Sequence, residues 1–476
     1  VRSALGESRD SLQAYNVPLP IATTDSLEAL RAFHLGMDLR ARADNVRAIP
    51  ALKTAITLDP QFALAYAQLG SAYSNIGDEV DGTPYLMKAF DLRDRATEPE
   101  RLFITGRYFD IITREIEKGV ETYRLWGRLY PGEWLSFNAL ANDSNLIGRY
   151  DIAVQAATSA AALNSTHLFP RVNLMTAYSG LNKFKEAGDV ARQILARTPD
   201  NASAHMVLYA IARRAGDVTG ADRETAWAAQ HPAASGMRYV EAEDAGLHGR
   251  FADMTRMFRE VARSEKEGGN AEDAGNTFAY DAVVNSFAGR TDDAIADAAS
   301  AAALGHNEII LGSIGVVDAR AGRTEAAETS LRTMNRLYPL STYSIGMYAP
   351  IVRGALVARG SPSAADVTGA MSSGLPYEFG QQASLLAPYL RGLAYMAAHA
   401  PDQAASEFQK LIDHVGVDPL SPLYAMGYLG IARADAATGK RDESRKAYQT
   451  VMTLWANAER DAPLVRAAFG ESATVR

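Results

Sequence analysis

The chain has 476 residues, with 48 Lys and Arg against 56 Asp and Glu, a formal charge of −8. No basic run appears, which disfavours nucleic acid as a partner, because neutralising phosphates takes clustered Lys and Arg. Cysteine is absent, excluding disulfides, zinc-thiolate sites and thiol nucleophiles together, and no run of about eighteen apolar residues offers a membrane span.

The first stretch, 1–24, reads as a lead-in. It opens on Val1 without a charged-then-apolar signal pattern, so the chain is expected to be a piece of a longer protein. A helical hairpin follows: Leu35-Gly36 on one helix, Ala48, Leu52 and Ala55 on a second, closed by Leu58-Asp59-Pro60. The next unit sets Tyr66, Leu69, Gly70 and Tyr73, then Leu86 and Ala89, at the same offsets about 34 residues on. Leu174, Tyr178, Ala187, Ala191, Ile194 and Pro199 repeat the scheme, as do Ile314, Gly315, Ala327, Leu331, Met334 and Pro339. The closing prolines 60, 131, 199 and 339 are 71, 68 and 140 residues apart, close to two, two and four periods.

Between paired helices stand Gly77-Asp78, Gly148-Arg149, Gly216-Asp217, Gly289-Arg290, Gly322-Arg323 and Gly439-Lys440. Glycine there permits the left-handed conformation that ends a helix. Proline after the second helix stops it. The expected layout is a lead-in at 1–24 and about nine repeats over 25–340, degenerate at 100–131 and 236–306. An irregular stretch, 341–384, follows, in which Tyr343 to Arg359 forms one helix containing Pro350, and Ser361-Pro362-Ser363 starts another. Gly374 to Gly380 reads as a turn-rich connection. Residues 385–476 complete the chain with a repeat pair and a capping helix.

These offsets resemble the tetratricopeptide repeat (TPR), two amphipathic helices with small or aromatic residues at set positions and a closing proline. The resemblance implies an all-α, TPR-like α-solenoid, a right-handed superhelix of about twelve helical hairpins, because a single pair cannot bury its own apolar face and stacking does. The entry sequence, including Ala22-Thr23-Thr24-Asp25-Ser26-Leu27, and Tyr389 to Trp455 with Gly392-Leu393-Ala394-Tyr395 are similar to the C-terminal repeat region of acidobacterial-type serine/threonine protein kinases and regulators. There a catalytic or DNA-binding module precedes the repeats, often with one membrane span between. The chain would face the periplasm if it follows such a span and the cytoplasm otherwise.

No catalytic set accompanies that resemblance. The phosphate loop, paired lysine, catalytic aspartate and Asp-Phe-Gly of a kinase are absent, and Gly246-Leu247-His248-Gly249 reads as a hairpin loop. The eight histidines are scattered without the i, i+4 spacing of a helical metal site. Each reads as a helix-surface or loop residue. Glu241-Ala242-Glu243-Asp244 and Asp292-Asp293 read as helix-start or exposed acids. No catalytic residue, metal or cofactor is therefore expected.

The first helix of each TPR projects offsets 2, 5, 9 and 12 into a concave groove. From Trp134 these fall on Leu135, Asn138, Asn142 and Asn145, placing three asparagines on one stripe. Neighbouring repeats add Ser71, Ser74 and Asn75, then Tyr108 with Ile104, then Thr176 and Ser179, then Arg213. Carboxamides donate and accept, so the stripe could hold an extended peptide by its backbone. The family's carboxylate clamp for a peptide C-terminus needs Lys and Arg with Asn, and Lys is missing from the chosen offsets. The expected function is a protein-interaction or sensory scaffold within a larger signalling protein. The alternative is a self-assembling repeat protein, stacked through its ends; the apolar helix at Pro463 to Phe469 is expected to fold back onto the helix ending near Trp455, and becomes a candidate contact if exposed.

Overall fold

The computed structural model of the chain describes residues 24–42, 44–231 and 235–474, so the lead-in lies outside the described residues except for Thr24. Among the described residues there is no strand. Over the described residues the fold is an all-α, TPR-like solenoid of twelve helical hairpins and a terminal helix. It divides into two compact units, with the boundary between Phe137 and Asn138.

The first unit contains three hairpins: α1 (Leu27–Ala41) with α2 (Asn45–Leu58), α3 (Ala63–Ser74) with α4 (Glu79–Asp91), and α5 (Glu98–Arg107) with α6 (Ile116–Leu129). Short polar side chains start four of these six helices. Ser26 accepts from the Ala29 N–H, Asp44 from Arg47 and Asp78 from Asp81, while Thr97 and Glu100 form a reciprocal capping box. Each satisfies an orphan amide of the first turn. Pro50 and Pro84 lie inside α2 and α4, one repeat apart, each removing an intrahelical hydrogen bond at the same place in its repeat. The core is continuous from Phe33 through Leu52, Phe62 and Leu69 to Tyr73, and burying each such side chain is worth about 1.5–3 kcal/mol.

What brings the paired helices together is a hydrogen where most residues carry a Cβ. A Cβ at Gly36 would stand 2.7 Å from Leu52 Cγ, and one at Gly70 would stand 2.5 Å from Leu86 Cγ. Gly106 against Tyr123 repeats the arrangement. The six interhelical glycines anticipated from the sequence all take positive φ, between 69° and 82°.

The second unit begins within α7 (Trp134–Leu146), which pairs with α8 (Tyr150–Leu163). Four further regular hairpins follow: α9 (Phe169–Gly180) with α10 (Phe184–Leu195), α11 (Ala202–Ala215) with α12 (Val218–Gln230), α13 (Ser235–Leu247) with α14 (Phe251–Glu267), and α15 (Ala271–Ala288) with α16 (Thr291–Ala302). α17 (Glu308–Arg320) then pairs with α18 (Thr324–Leu337). In the irregular stretch, a wide π turn at Tyr343–Tyr348 runs into α19 (Ala349–Val357), with Pro350 in the first turn, where no amide bond is lost. Ser363 and Asp366 form the capping box of α20 (Ala364–Met371), and 3₁₀ turns occupy Ser372–Tyr377 and Gln381–Ala383. α21 (Leu386–Ala397) with α22 (Pro401–Asp413), α23 (Leu423–Ala437) with α24 (Arg441–Leu454), and α25 (Pro463–Thr474) complete the unit.

A second set of contacts crosses this unit at long range, and nothing in the repeat pattern announces it. The turns of the α7–α16 hairpins dock, in order, onto segments from the C-terminal third. At the first turn, Tyr150 Oη donates to the Phe379 carbonyl at 2.8 Å. At the second, Ser179 Oγ donates to the Gly416 carbonyl at 2.9 Å, and Asn182 both donates to the Asp413 carbonyl and accepts from the Gly416 N–H. Arg214 reaches the Pro419 carbonyl at 3.1 Å. Trp455 Nε1 donates to the Leu247 carbonyl, and the Glu459 N–H donates to the Gly249 carbonyl. At the fifth turn, Pro463 packs against Gly289. α25 buries Val465 and Ala468, and its Glu471 accepts a forked pair of hydrogen bonds from Arg433. Its apolar face is therefore turned inward.

Candidate functional site

In the first unit the first-helix face is built on α3. Gln68 and Ser71 lie one helical turn apart and both are buried. Ser71 Oγ donates to its own helix at the Ala67 carbonyl and accepts from Arg107 Nε at 3.1 Å. Gln68 Oε1 accepts from Arg40, whose Nε reaches Asn45 Oδ1 at 3.3 Å. Arg107 also pairs with Asp110 at 2.9 Å, and Asp110 accepts from Tyr123 Oη at 2.8 Å. Of the anticipated residues here, Ser71 is thus engaged, Ser74 is half-buried and Asn75 is exposed at the end of α3. Tyr108 is half-buried, its ring stacked on Phe90 with centroids 3.7 Å apart, and it opens the π turn Tyr108–Ile112.

Arg40 and Arg107 escaped the sequence reading. They stand at offsets 12 and 9 of their own repeats when Gly36 and Gly106 are aligned with Ala141, which is the signal that marks them. Burial pushes the Arg40 guanidinium down to about 9, and the neighbouring Arg107 charge adds to the fall. Among the described residues no carboxylate pairs with Arg40. Asp44, the acid just beyond α1, turns to Arg47 at 3.2 Å.

In the second unit the asparagine stripe is partly consumed by the fold. Asn173 of α9 donates to both the backbone carbonyl and Oδ1 of Asn138, at 3.2 and 3.1 Å. Asn145 is buried and donates to the Asn173 carbonyl at 3.0 Å. These bonds tie adjacent first helices together, a use of the amide that satisfies buried backbone groups. Asn142 remains exposed. Thr176 is half-buried, and Arg213 pairs with Asp244 at 2.8 Å.

Two expectations are corrected here. Glu243 and Asp244 are buried and not exposed acids, because the 414–422 connection lies over the end of α13, with Pro422 against Gly246. Burial, with the nearby Asp418 charge, pushes the Glu243 carboxyl well above the usual carboxylate range. Asp418, held near Tyr280 and Ser421, is raised to about 6 by burial. His205 is likewise buried rather than on a helix surface: Nδ1 lies 2.6 Å from Glu224, Nε2 lies 2.8 Å from the Pro199 carbonyl, and the ring stacks on Trp227. The period of a helix face says which residues point inward within a repeat, but not what a distant segment covers.

A cavity of about 390 Å³ opens between α12, α13 and α14, lined by Thr225, Met237 and the Arg238–Glu241–Glu260 ion cluster among others. Among the described residues, no group of three or more His, Asp or Glu side chains is arranged to hold a metal ion, and no helix is long and apolar enough to cross a membrane.

No protein-family model matches the sequence, and no curated protein matches it. Solved structures similar to the chain include the APC/C hetero-tetramer Cut9–Hcn1, at 13% identity over 98% of this chain and 81% of that one, with a TM-score of 0.46. A tetratricopeptide repeat protein from Parabacteroides merdae matches at 13% identity, over 61% of this chain and 99% of that one, with a TM-score of 0.30. The human IFIT1 dimer with m7Gppp-AAAA matches at 13% identity over 91% of each chain, with a TM-score of 0.36.

Proposed function

We propose that this chain is a protein-interaction scaffold, the sensory part of a larger signalling protein, and that it takes an extended peptide of its partner along the first-helix face of the first unit. The observation that carries this reading is which of the anticipated polar residues stay exposed, Asn75 in the first unit and Asn142 in the second, whereas Ser71 is engaged within the fold. In the second unit Asn138, Asn145 and Arg213 are engaged by the chain itself, and the hairpin turns are docked on C-terminal segments. In the first unit Asn75 is exposed at the end of the same helix that carries Gln68 and Ser71, and Tyr108 offers an aromatic wall. An exposed carboxamide and an aromatic ring suit peptide backbone and side chain together. The partner is a protein rather than nucleic acid, given a net charge of −8.

A photo-crosslinking residue placed at Asn75, in the protein as the cell makes it, tests this. A defined adduct from position 75 that is absent with the same probe at exposed Arg445 is the expected result. Identical adducts from both positions, or none from 75, would sink the reading.

Self-association is the second reading, favoured by one observation: Leu35, Val46 and Val80 of the first unit are 57%, 66% and 78% exposed. Light scattering over a wide concentration range separates the two. A mass that grows with concentration, and that Val46→Asp abolishes, would establish self-assembly. A constant mass would leave the partner-binding role.

A further inference from the structure

The connection between α22 and α23, residues 414–422, carries an acid into the interior of the second unit. Its backbone is gripped by the hairpin turns: Gly416 by Ser179 and Asn182, and the Pro419 carbonyl by Arg214. Leu420 and Ser421 are buried, and Pro422 lies against Gly246. Asp418 turns to Tyr280 of α15, whose hydroxyl reaches Asp418 Oδ2 at 3.5 Å and Ser421 Oγ at 3.4 Å. The same hydroxyl serves Glu243 of α13, which is buried and, among the described residues, has no ion pair. The neighbours offer little positive charge. Tyr239 lies one turn before Glu243 on α13, Glu265 of α14 and Tyr348 of the π turn face Tyr239, and Tyr150 and Tyr424 face Asp418. Asp244 is paired with Arg213. Arg214, on α11, stands over the Tyr424 ring and donates to the Pro419 carbonyl.

Two carboxyls in one buried place repel when both are ionised, and burial penalises each charge besides. A proton on either one removes the repulsion. We propose that residues 414–422 are a proton-operated latch, docked on α13 and on the turns of the α9–α14 hairpins while Glu243 or Asp418 holds a proton, and released when both are ionised. Burial raises both groups, Asp418 to about 6 and Glu243 well above the usual carboxylate range. The docked state therefore binds protons more tightly than the released one, in which water surrounds both acids. Docking is strongest below about 3.8, weakens as pH rises through about 6, and fails as Glu243 ionises in turn. Release frees Ser179, Asn182 and Arg214 at the turns, polar groups that the closed unit uses on itself. The device goes beyond partner capture and stands whether or not Asn75 meets a partner.

The chain lacks cysteine, so one introduced thiol reports on one place. Leu420→Cys puts it in the connection, at a position 2% exposed, and Arg445→Cys, at an exposed position, corrects for the thiolate fraction at each pH. Relative to Arg445→Cys, alkylation of Leu420→Cys by iodoacetamide should speed up about tenfold or more between pH 5.5 and pH 8.5, one pKa unit being a factor of ten. Ala72→Cys, buried in α3 of the first unit, should stay unlabelled throughout. Adding Glu243→Gln to Leu420→Cys keeps a hydrogen-bonding side chain without the charge, and should flatten the response. A flat response in Leu420→Cys alone, a response that survives Glu243→Gln, or labelling of Ala72→Cys in step with Leu420→Cys would overturn the proposal.

A second measurement covers the case in which a variant fails to fold. In the unaltered chain, hydrogen exchange corrected for the intrinsic rate at each pH should show the Gly416 amide losing about tenfold or more of its protection between pH 5.5 and pH 8.5. The helical amides of α3 should keep theirs. Protection at Gly416 that does not change with pH, or that falls together with the α3 amides, would also overturn the proposal.

Discussion

The carboxylate of Glu459 accepts hydrogen bonds from the backbone N–H of Ala252, 207 residues earlier, at 2.8 and 3.1 Å, and so caps the first turn of α14. Arg250, the residue at the local N-cap position of α14, makes no side-chain cap bond. The cap comes from the distant segment, which adds a negative charge at the positive end of the helix dipole and an ion pair with Arg290 at 3.6 Å.

Replacing this group should uncap α14 and loosen the C-terminal docking at once. Glu459→Ala is expected to cost about 1–2 kcal/mol, the range of a lost cap, read as a lower urea midpoint. Glu459→Gln should recover part of that, because its carbonyl oxygen still accepts. A midpoint unchanged in Glu459→Ala would mean the docked segment contributes no stability.

Gly416 offers a sharper probe of the same docking. A Cβ there would overlap the Ser179 carbonyl oxygen, a rigid backbone atom. Gly416→Ala should therefore separate the 413–422 connection from the α9–α10 turn at a cost of about 1–3 kcal/mol. Hydrogen exchange is the measurement. The Gly416 amide, now held by Asn182 Oδ1, should lose protection, while the α1–α4 amides keep theirs. Protection retained at Gly416 and Asn182 would contradict the packing described.

Within the first unit, Gly36→Leu forces a branched side chain into the space of Leu52. Overpacking of this kind costs about 1–3 kcal/mol, and adding Leu52→Ala should return part of it. If the single variant melts with the unaltered chain, the close crossing of α1 and α2 is wrong.

Asp418 gives the second unit a pH dependence of definite sign. Its folded pKa, about 6 against an ordinary 3.8, is raised, so the folded state holds the proton more tightly than the unfolded chain. The stability this contributes is present in full below about 3.8 and is lost as pH rises through about 6. With the group partly exposed, the loss is of order 1–3 kcal/mol. Asp418→Asn, which stays neutral, should melt close to the unaltered chain at pH 4 and above it at pH 7.5. An equal gap at both pH values would show that the carboxyl titrates normally.

The repeat architecture was legible because its determinants are local. Gly36 and Leu52, or Gly70 and Leu86, are 16 residues apart, and the glycines and prolines that end the helices act on their immediate neighbours. The docking of the C-terminal third was not legible, since Tyr150 meets Phe379, and Ser179 meets Gly416, across 229 and 237 residues. No periodic pattern encodes such a pair. For the same reason Glu243 and Asp244 read as surface acids, although a distant loop covers them. In the candidate site, the α3 residues Ser71, Ser74 and Asn75 were readable from repeat offsets. Arg40 and Arg107 belonged to the same offsets, but their contacts with Gln68 and Ser71 of α3 form only when three helices are placed together.

The order of docking also has a consequence in time. The turns of the α7–α16 hairpins leave the ribosome well before the segments that cover them, with 174 positions from Gly289 to Pro463 at the last turn. At ordinary elongation rates that interval lasts roughly 10–40 s. For that period the nascent chain carries bare turns and an uncapped α14, and these are the surfaces on which a chaperone, or a neighbouring copy, would meet it first.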